Sequence, residues 1–295
     1  MNLDSEAVFY RWKPAALLRV AGSDALSFLQ GQFTNDLRKP MASDAVYGLW
    51  LNQKGKVVAD SFVLPAAEAE TYWVVSYFSP AAVIRERLEA FIIADDVTVA
   101  DCTEEWEALT IFGPIERETL VGAVPGSLVF AGRRGSGASL EWLLPKSMLA
   151  QVTERLAGAH ELTESDITRR RLEAGIPAVP ADIGPGELPN EGGLAGEAIS
   201  YTKGCYLGQE VMARLKSMGK VRRRLRRVQG QGNLPADLPA ELYQGERKVG
   251  ELRSTIATEK GFAGLALLTL MNLQPAEKLS LAAGAAATIA FVDQP

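Results

Sequence analysis

Four short runs of alternating apolar residues, Leu17 to Ala21, Ala45 to Leu51, Lys56 to Leu64 and Thr71 to Tyr77, constrain the fold more than any other feature of the chain. A period of two fits strands with one buried face. Helix-like segments accompany them, Asp24 to Gln30 and Pro80 to Ile93, the second with Val83, Leu88, Phe91 and Ile92 suited to one buried face. The mixture predicts an α+β layer. A partial echo follows, with strand candidates Ala108 to Phe112 and Ala138 to Leu144 and helix candidates Lys146 to Ala157 and Ser165 to Ala174. Ser165 is the expected N-cap of the last helix, with Asp166 in its first turn, and Gly175, Ile176 and Pro177 should stop it.

From Pro177 to Gly196 the chain is rich in Pro and Gly and should be irregular; long loops inside compact domains are often functional. After about residue 220 the texture changes to short strand-like pieces, Val221 to Val228, Arg247 to Arg253, Gly261 to Thr269 and Ala287 to Val292, with turns expected at Gly230-Gln231-Gly232 and Gly284. A small β-barrel or sandwich fits that texture. The expected division is 1–105, 106–219 and 220–295: two α+β units and a C-terminal β domain.

The 295 residues are 47% hydrophobic and 23% charged, enough for a sizeable core, and the net charge of −5 disfavours a general coat for polyanions. No apolar stretch approaches a membrane span, and the N-terminus has no apolar leader pattern, so a cytoplasmic protein with no membrane contact is expected. Cys102 and Cys205 stand far apart without any C-x-x-C, which encodes neither a disulfide framework nor a self-contained metal site. Histidine occurs once, at His160, near an expected helix end, where a solvated role is favoured over a catalytic one. Neither a phosphate-cradling G-x-x-x-x-G-K-[ST] loop nor a strand-linked G-x-G-x-x-G is present, which disfavours nucleotide hydrolysis and Rossmann binding.

The segment Thr202-Lys203-Gly204-Cys205-Tyr206-Leu207-Gly208-Gln209-Glu210 precedes Val211, Met212 and Leu215, a pattern suited to a helix that starts near Cys205. A cysteine at or beside an N-cap would have its thiolate stabilised by unpaired N–H groups and the helix dipole, with Lys203 adding positive charge. Cys205 and Lys203 are therefore the candidate catalytic pair. A small, buried, inert cysteine is the competing reading, and Cys102 is expected to be inert.

K-G-C-Y-x-G-Q-E, here Lys203 to Glu210, resembles the signature of the YgfZ-type folate-binding proteins, relatives of the glycine-cleavage T-protein, an aminomethyltransferase. Gly22-Ser23-Asp24-Ala25 with Phe28-Leu29-Gln30-Gly31-Gln32, Thr34 and Asp36 resembles the family's N-terminal block, and Asn52-Gln53-Lys54-Gly55-Lys56 its glycine turn. Arg171 to Pro177 is similar to the helix that touches the folate ring in T-proteins. The resemblance implies two ferredoxin-like α+β units forming a folate-binding ring, plus a small C-terminal β-barrel, with tetrahydrofolate as the ligand. It also implies folate contacts from Glu173, Tyr206, Gln209, Glu210 and Arg214, and no resident metal. A pterin's 2-amino-4-oxopyrimidine edge offers adjacent N–H donors that one carboxylate accepts bidentately, a role suited to Glu173; the plain alternative is a helical pair with Arg169 or Arg170. The ring's apolar slot would draw on Trp50, Trp73, Trp106 or Trp142.

One departure bears on the chemistry. Where aminomethyltransferases carry paired aspartates after the glycine turn, this chain has Ala59-Asp60, and a strand neighbour points to the opposite face. The resemblance thus favours an accessory protein supporting iron–sulfur client enzymes, including tRNA-modifying ones, with Cys205 acting in trans because one thiolate cannot hold a cluster. A folate-dependent aminomethyl or one-carbon transferase is the first rival. The second is an RNA-binding module, prompted by Arg214, Lys216, Lys220, Arg222, Arg223, Arg224, Arg226 and Arg227. That basic run could instead bind a folate's polyglutamate tail, contact tRNA, or form an ordinary solvated strand.

Overall fold

The computed structural model describes residues 8–38, 45–156, 158–219 and 221–292. Ala157 and Lys220, which belong to the helix and basic-run expectations above, lie outside them. The chain runs through β1 (Val8–Trp12), β2 (Ala16–Ala21), α1 (Ala25–Gln32), β3 (Val46–Leu51), β4 (Val57–Pro65), β5 (Thr71–Ser76), α2 (Ala81–Glu89) and β6 (Thr98–Asp101). Strands β2 to β6 form one antiparallel sheet in the order β3-β4-β5-β2-β6. Setting β3 aside, this is a β-α-β-β-α-β unit with the ferredoxin-like order 4-1-3-2.

The next stretch supplies β7 (Trp106–Phe112), α3 (Arg117–Ala123), β8 (Leu128–Ala131), β9 (Leu140–Pro145), α4 (Leu149–Arg155), β10 (His160–Glu161) and α5 (Glu164–Glu173). Its sheet has the order β10-β1-β7-β9-β8, the same unit again with β1 inserted between the fourth and first strands. The echo in the sequence is therefore a real topological repeat. Strand β1 crosses the expected division at residue 105, because its hydrogen bonds go to β7 and β10 in the second sheet. His160 sits exposed on the edge strand β10 rather than at a helix end.

Alternation explains the layers. In β2, Leu18 and Val20 face α1 and α2 with Phe28, Leu29, Ile84 and Leu88, while Leu17 faces the second sheet with Phe62, Val75, Phe130 and Leu143. The second sheet buries its other face under α3 and α4 through Leu109, Trp142, Leu120 and Val152. Two sheets thus pack face to face between two helical layers, and each buried side chain of this size contributes about 1.5–3 kcal/mol.

Helix α5 begins two residues earlier than expected. Thr163, not Ser165, is the N-cap: its hydroxyl accepts from the Asp166 N–H, and the Asp166 carboxylate accepts from the Thr163 N–H at 2.9 Å, a reciprocal box that Ser165 could not form. The C-terminus ends at a left-handed Gly175 as the sequence indicates.

The irregular segment from Pro177 onward contains the short helix α6 (Ala195–Ala198) and leads into α7 (Gln209–Met218). The C-terminal domain comprises β11 (Arg223–Gln231), β12 (Ala240–Gln244), β13 (Arg247–Thr258), β14 (Gly261–Thr269) and β15 (Ile289–Phe291), in the order β12-β13-β14-β11-β15. Gly230 and Gln231, expected in a turn, continue β11 because Gly230 leaves room for the Phe262 ring opposite it. Leu279 and Ser280 bridge the two edges, Ser280 pairing with Tyr243 and Leu279 with Ile289, which curls the sheet into a small barrel. Among the described residues, no helix is long and apolar enough to cross a membrane.

Candidate functional site

Three sequence-distant segments meet at the end of α1. The glycine turn Asn52 to Lys56 is shaped by the Asn52 side-chain oxygen, which accepts from the Lys54 and Lys56 N–H groups. Gly55, at φ +69°, lies against Val211 and Met212 of α7, and Gly208, at φ +86°, lies against the Asn52 carbonyl and the Gly55 Cα. A side chain at either position would push the two apart. The glycine turn and the cysteine motif are therefore one packed structure.

Gly208 corrects the helix expected at Cys205. The N-cap is Gly208 and α7 begins at Gln209, so Cys205 lies upstream of the helix and is not its cap. The geometry does not support the expected dipole activation.

Lys203 is also used differently from expectation. Its ammonium is buried and donates to the backbone carbonyls of Gln30, Phe33 and Asn35 at 2.7, 2.6 and 2.9 Å. These oxygens lie at and beyond the C-terminus of α1, where helical carbonyls lack partners. Burial pushes the ammonium down to about 8, while Asp36 nearby opposes that shift. The charge of Lys203 is engaged by carbonyls rather than by the neighbouring thiol.

Tyr206, expected on the ligand, is 6% exposed in a cluster with Leu49, Val57 and Met212. Its hydroxyl is buried without a hydrogen-bond partner, and burial pushes the phenol up. Lys203 and Tyr206 thus anchor both ends of a short loop, and the Leu207 N–H adds a bond to the Gly31 carbonyl. Between these anchors Gly204 and Cys205 are exposed. Gln209 is half-buried at the start of α7, and Glu210 and Arg214 are exposed.

A second polar cluster lies where both units meet the 177–199 segment. Asp60 accepts from Tyr47 at 3.0 Å, Ser76 at 2.9 Å and Ser79 at 2.8 Å. It is 4% exposed, and burial raises its carboxyl despite those hydroxyls and Arg133. Arg133 stacks over the Tyr47 ring and donates to Glu197, and Asn35 donates to the carbonyls of both Tyr47 and Glu197. Beside it, Tyr77 and Thr110 donate to the buried Glu141. The strand phase corrects the expectation about position 59: Ala59 packs into the helix-side core, whereas Asp60 faces the second unit. The carboxylate missing at 59 would have pointed into hydrocarbon.

Sequence reasoning missed Tyr47, Ser76, Ser79, Arg133, Glu141 and Glu197. A carboxylate within an apolar strand, as in Glu141 between Leu140 and Trp142, was a signal for two of these networks, since buried charge requires partners.

Glu173 is exposed at the end of α5, and its carboxylate has no hydrogen bond or ion pair among the described residues. Arg169 donates instead to the Ala257 carbonyl and Arg170 stacks over Phe112, so neither forms the helical pair. On the same helix Arg171 donates to Asp182 at 2.6 Å and to the Ile176 carbonyl, and its guanidinium lies near the ring of the partly exposed Phe78. Trp50 and Trp142 are fully buried in separate cores and line no slot, while Trp73 and Trp106 pair with each other.

The basic run divides between faces. Arg223 donates to Glu191 at 2.9 and 3.2 Å and reaches Glu187, Arg227 donates to the Glu173 carbonyl, and Lys216 lies over Tyr201. These residues join the barrel and α7 to the rest of the chain, while Arg222 and Arg224 are exposed.

A family model described as the GCVT N-terminal domain matches residues 12–128, and one described as the CAF17 C-terminal beta-barrel domain matches residues 222–293. The chain is 29% identical to the mitochondrial iron-sulfur cluster assembly factor IBA57 of Mus musculus, over 88% of this chain and 76% of the relative. It is 26% identical to the tRNA-modifying protein YgfZ of Serratia proteamaculans, over 95% and 89% of the two chains. The fold matches the crystal structure of glycine cleavage system aminomethyltransferase T from Bartonella henselae with a TM-score of 0.80 at 16% identity, covering 98% of this chain and 86% of the other. The chain thus carries a GCVT-type N-terminal region and a CAF17-type C-terminal barrel, and it is similar along most of its length to proteins named YgfZ and IBA57.

Proposed function

We propose that this protein is a tetrahydrofolate-binding accessory factor, acting in the cytoplasm, that supports assembly or repair of iron–sulfur enzymes, including tRNA-modifying ones, through Cys205. The observation that carries the reading is the exposed thiol on a loop held at both ends by buried Lys203 and Tyr206. A thiol that must reach a cluster in another protein needs exposure and a fixed base. Relatives named as an iron-sulfur cluster assembly factor and as a tRNA-modifying protein support the client class.

The residues present fit a reduced folate in one respect that the chain itself supplies: Glu173 offers an exposed carboxylate, without a hydrogen bond or ion pair among the described residues, to the pterin's donor edge. Gln209, Glu210 and Arg214 remain available for polar contacts. Tyr206 serves by shaping the loop, since its hydroxyl cannot reach a ligand from within the core.

Aminomethyl transfer is less well supported. A catalytic base must reach the reacting proton, and Asp60 is buried with its oxygens already accepting from three hydroxyls. The inward ion pairs of Arg223 likewise weaken an RNA-binding reading.

The test is a Cys205→Ser variant. Folate affinity, read by titration calorimetry, should stay within about twofold of the parent, while support of client iron–sulfur enzymes in a strain lacking the protein should be lost. Full client activity in that variant removes the thiol from the mechanism; no binding of tetrahydrofolate by the parent removes the ligand.

A further inference from the structure

The outer face of the C-terminal barrel carries a pocket of about 810 Å³, in which neither Cys205 nor Glu173 takes part. Strand register builds its floor. Gln231 stands opposite Gly261, which in turn stands opposite Thr258, and Gln229 stands opposite both Ala263 and Ala290. Residues paired across neighbouring strands share one face of the sheet. Phe262, between Gly261 and Ala263, lies in the barrel core, so the paired residues on either side of it point outward. Thr288, whose carbonyl accepts from the Gln231 N–H at 3.2 Å, extends the polar row. Carboxamides and hydroxyls thus stand clear of glycine and alanine neighbours, over which a ligand approaches the backbone closely.

Three elements bring positive charge to the rim. Arg169 reaches in from α5, held by the Ala257 carbonyl at 3.0 Å; Lys260 lies in the β13–β14 turn; and Lys278 lies in the segment between β14 and β15. Glu259 is the one carboxylate of the lining, so two positive charges are left over. Among the described residues, the side chains of Gln229, Gln231, Lys260 and Lys278 make no hydrogen bond or ion pair.

These features select a ligand chemistry. A phosphate monoester carries about −1.5 to −2 charges at pH 7 and three strong acceptor oxygens, which matches the surplus charge and its arrival from three sides. A carboxylate is best held by one planar fork, and the Arg169 fork is already partly engaged by Ala257. Carboxamides and hydroxyls each offer a donor and an acceptor, the same pair that a sugar hydroxyl offers. Phe262, the one aromatic residue of the lining, is 1% exposed, so a nucleobase finds no ring to stack on. The volume lies within the range of about 300–1,000 Å³ common to small-molecule sites.

We propose that this pocket binds a phosphorylated polyol of sugar size, its phosphate held by Arg169, Lys260 and Lys278 and its hydroxyls by Gln229 and Gln231. The site is independent of the folate reading and of Cys205.

The test is titration calorimetry on the full chain with ribose 5-phosphate, ribose, inorganic phosphate, AMP and tRNA. One charge-assisted contact is worth about tenfold in affinity. Ribose 5-phosphate should bind at least about tenfold tighter than either ribose or inorganic phosphate, and less tightly as salt rises. The Lys260→Gln/Lys278→Gln variant should weaken it at least about tenfold. The Gln229→Ala/Gln231→Ala variant should reduce it to the affinity of inorganic phosphate, whose own binding should not change. Circular dichroism of each variant checks its fold.

Equal affinities for ribose 5-phosphate and inorganic phosphate, or no binding of either, overturn the proposal, as does a ribose 5-phosphate affinity that both variants leave unchanged. AMP bound as tightly as ribose 5-phosphate supports it, because the base then adds nothing; AMP bound at least about tenfold tighter overturns it in favour of a base-reading site. Binding of tRNA that the lysine variant loses, with no binding of ribose 5-phosphate, overturns it in favour of a nucleic-acid surface.

Discussion

The ammonium of Lys203 lies 2.6 Å from the carbonyl oxygen of Phe33, 170 positions earlier in the chain, and fastens the cysteine loop to the end of α1. Replacing Lys203 with Met keeps much of the apolar stem and leaves three carbonyls without their donor. Losing such a buried, charge-assisted cluster should cost about 1.5–3 kcal/mol in urea unfolding. A cost under about 0.5 kcal/mol, the range typical of surface substitutions, would show that water replaces the ammonium freely.

The same residue gives a pH signature. Burial lowers the folded-state pKa of Lys203 to about 8 from 10.5, so between those values the unfolded chain binds the proton more tightly than the folded one. Stability contributed by this group should therefore rise as pH climbs from about 8 towards 10.5. Subtracting the Lys203→Met unfolding free energy from that of the parent across pH 7.5 to 10 isolates the effect, and a difference that falls with pH contradicts it.

Gly208 and Gly55 approach too closely for side chains. In Gly208→Ala a new Cβ would stand 2.9 Å from the Asn52 carbonyl oxygen at a φ of +86°. The strain should cost about 1–3 kcal/mol. It should also loosen the cysteine loop, raising amide hydrogen exchange at Tyr206 and Leu207; unchanged exchange would separate the loop from the glycine turn.

Arg171 holds the irregular segment through Asp182, which is fully buried and also accepts from the Ala178 N–H at 2.7 Å. Removing the guanidinium in Arg171→Leu strands a carboxylate in the core, at a cost of about 3–5 kcal/mol. The double variant Arg171→Leu/Asp182→Leu should recover a large part of that loss. No recovery would mean that Arg171 acts through Ser254 and the Ile176 carbonyl instead.

The two thiols should separate kinetically. Cys205 is exposed, whereas burial, with Glu105 and Asp101 nearby, pushes the Cys102 thiol up. A disulfide reagent at pH 7 should label one thiol at least about tenfold faster than the other, and Cys205→Ser should abolish the fast phase.

Much of the fold was legible because periodicity is local. The run Gly261 to Thr269 is β14 residue for residue, and the stop at Gly175 follows from the left-handed turn that glycine adopts without strain. The start of α7 was misread because Cys205 and Gly208 both precede an apolar pattern, and only the turn packed on Asn52 shows which of them caps the helix. Glu173 was legible as a carboxylate on a helix, but its freedom from Arg169 and Arg170 depends on where Ala257 and Phe112 fall.

The sequence by itself determined the two α+β units and a C-terminal β domain, since side-chain alternation and turn residues act over a few positions, whereas the exposure of Cys205 came from the fold. Tertiary structure alone decided that β1 joins the second sheet, that the Lys203 charge is held by carbonyls of α1, and that Asp60 rather than position 59 faces the second unit. The reason is physical: a buried charge or an unpaired strand edge takes its partner from whatever the folded chain brings within about 3 Å, and sequence distance does not enter that choice.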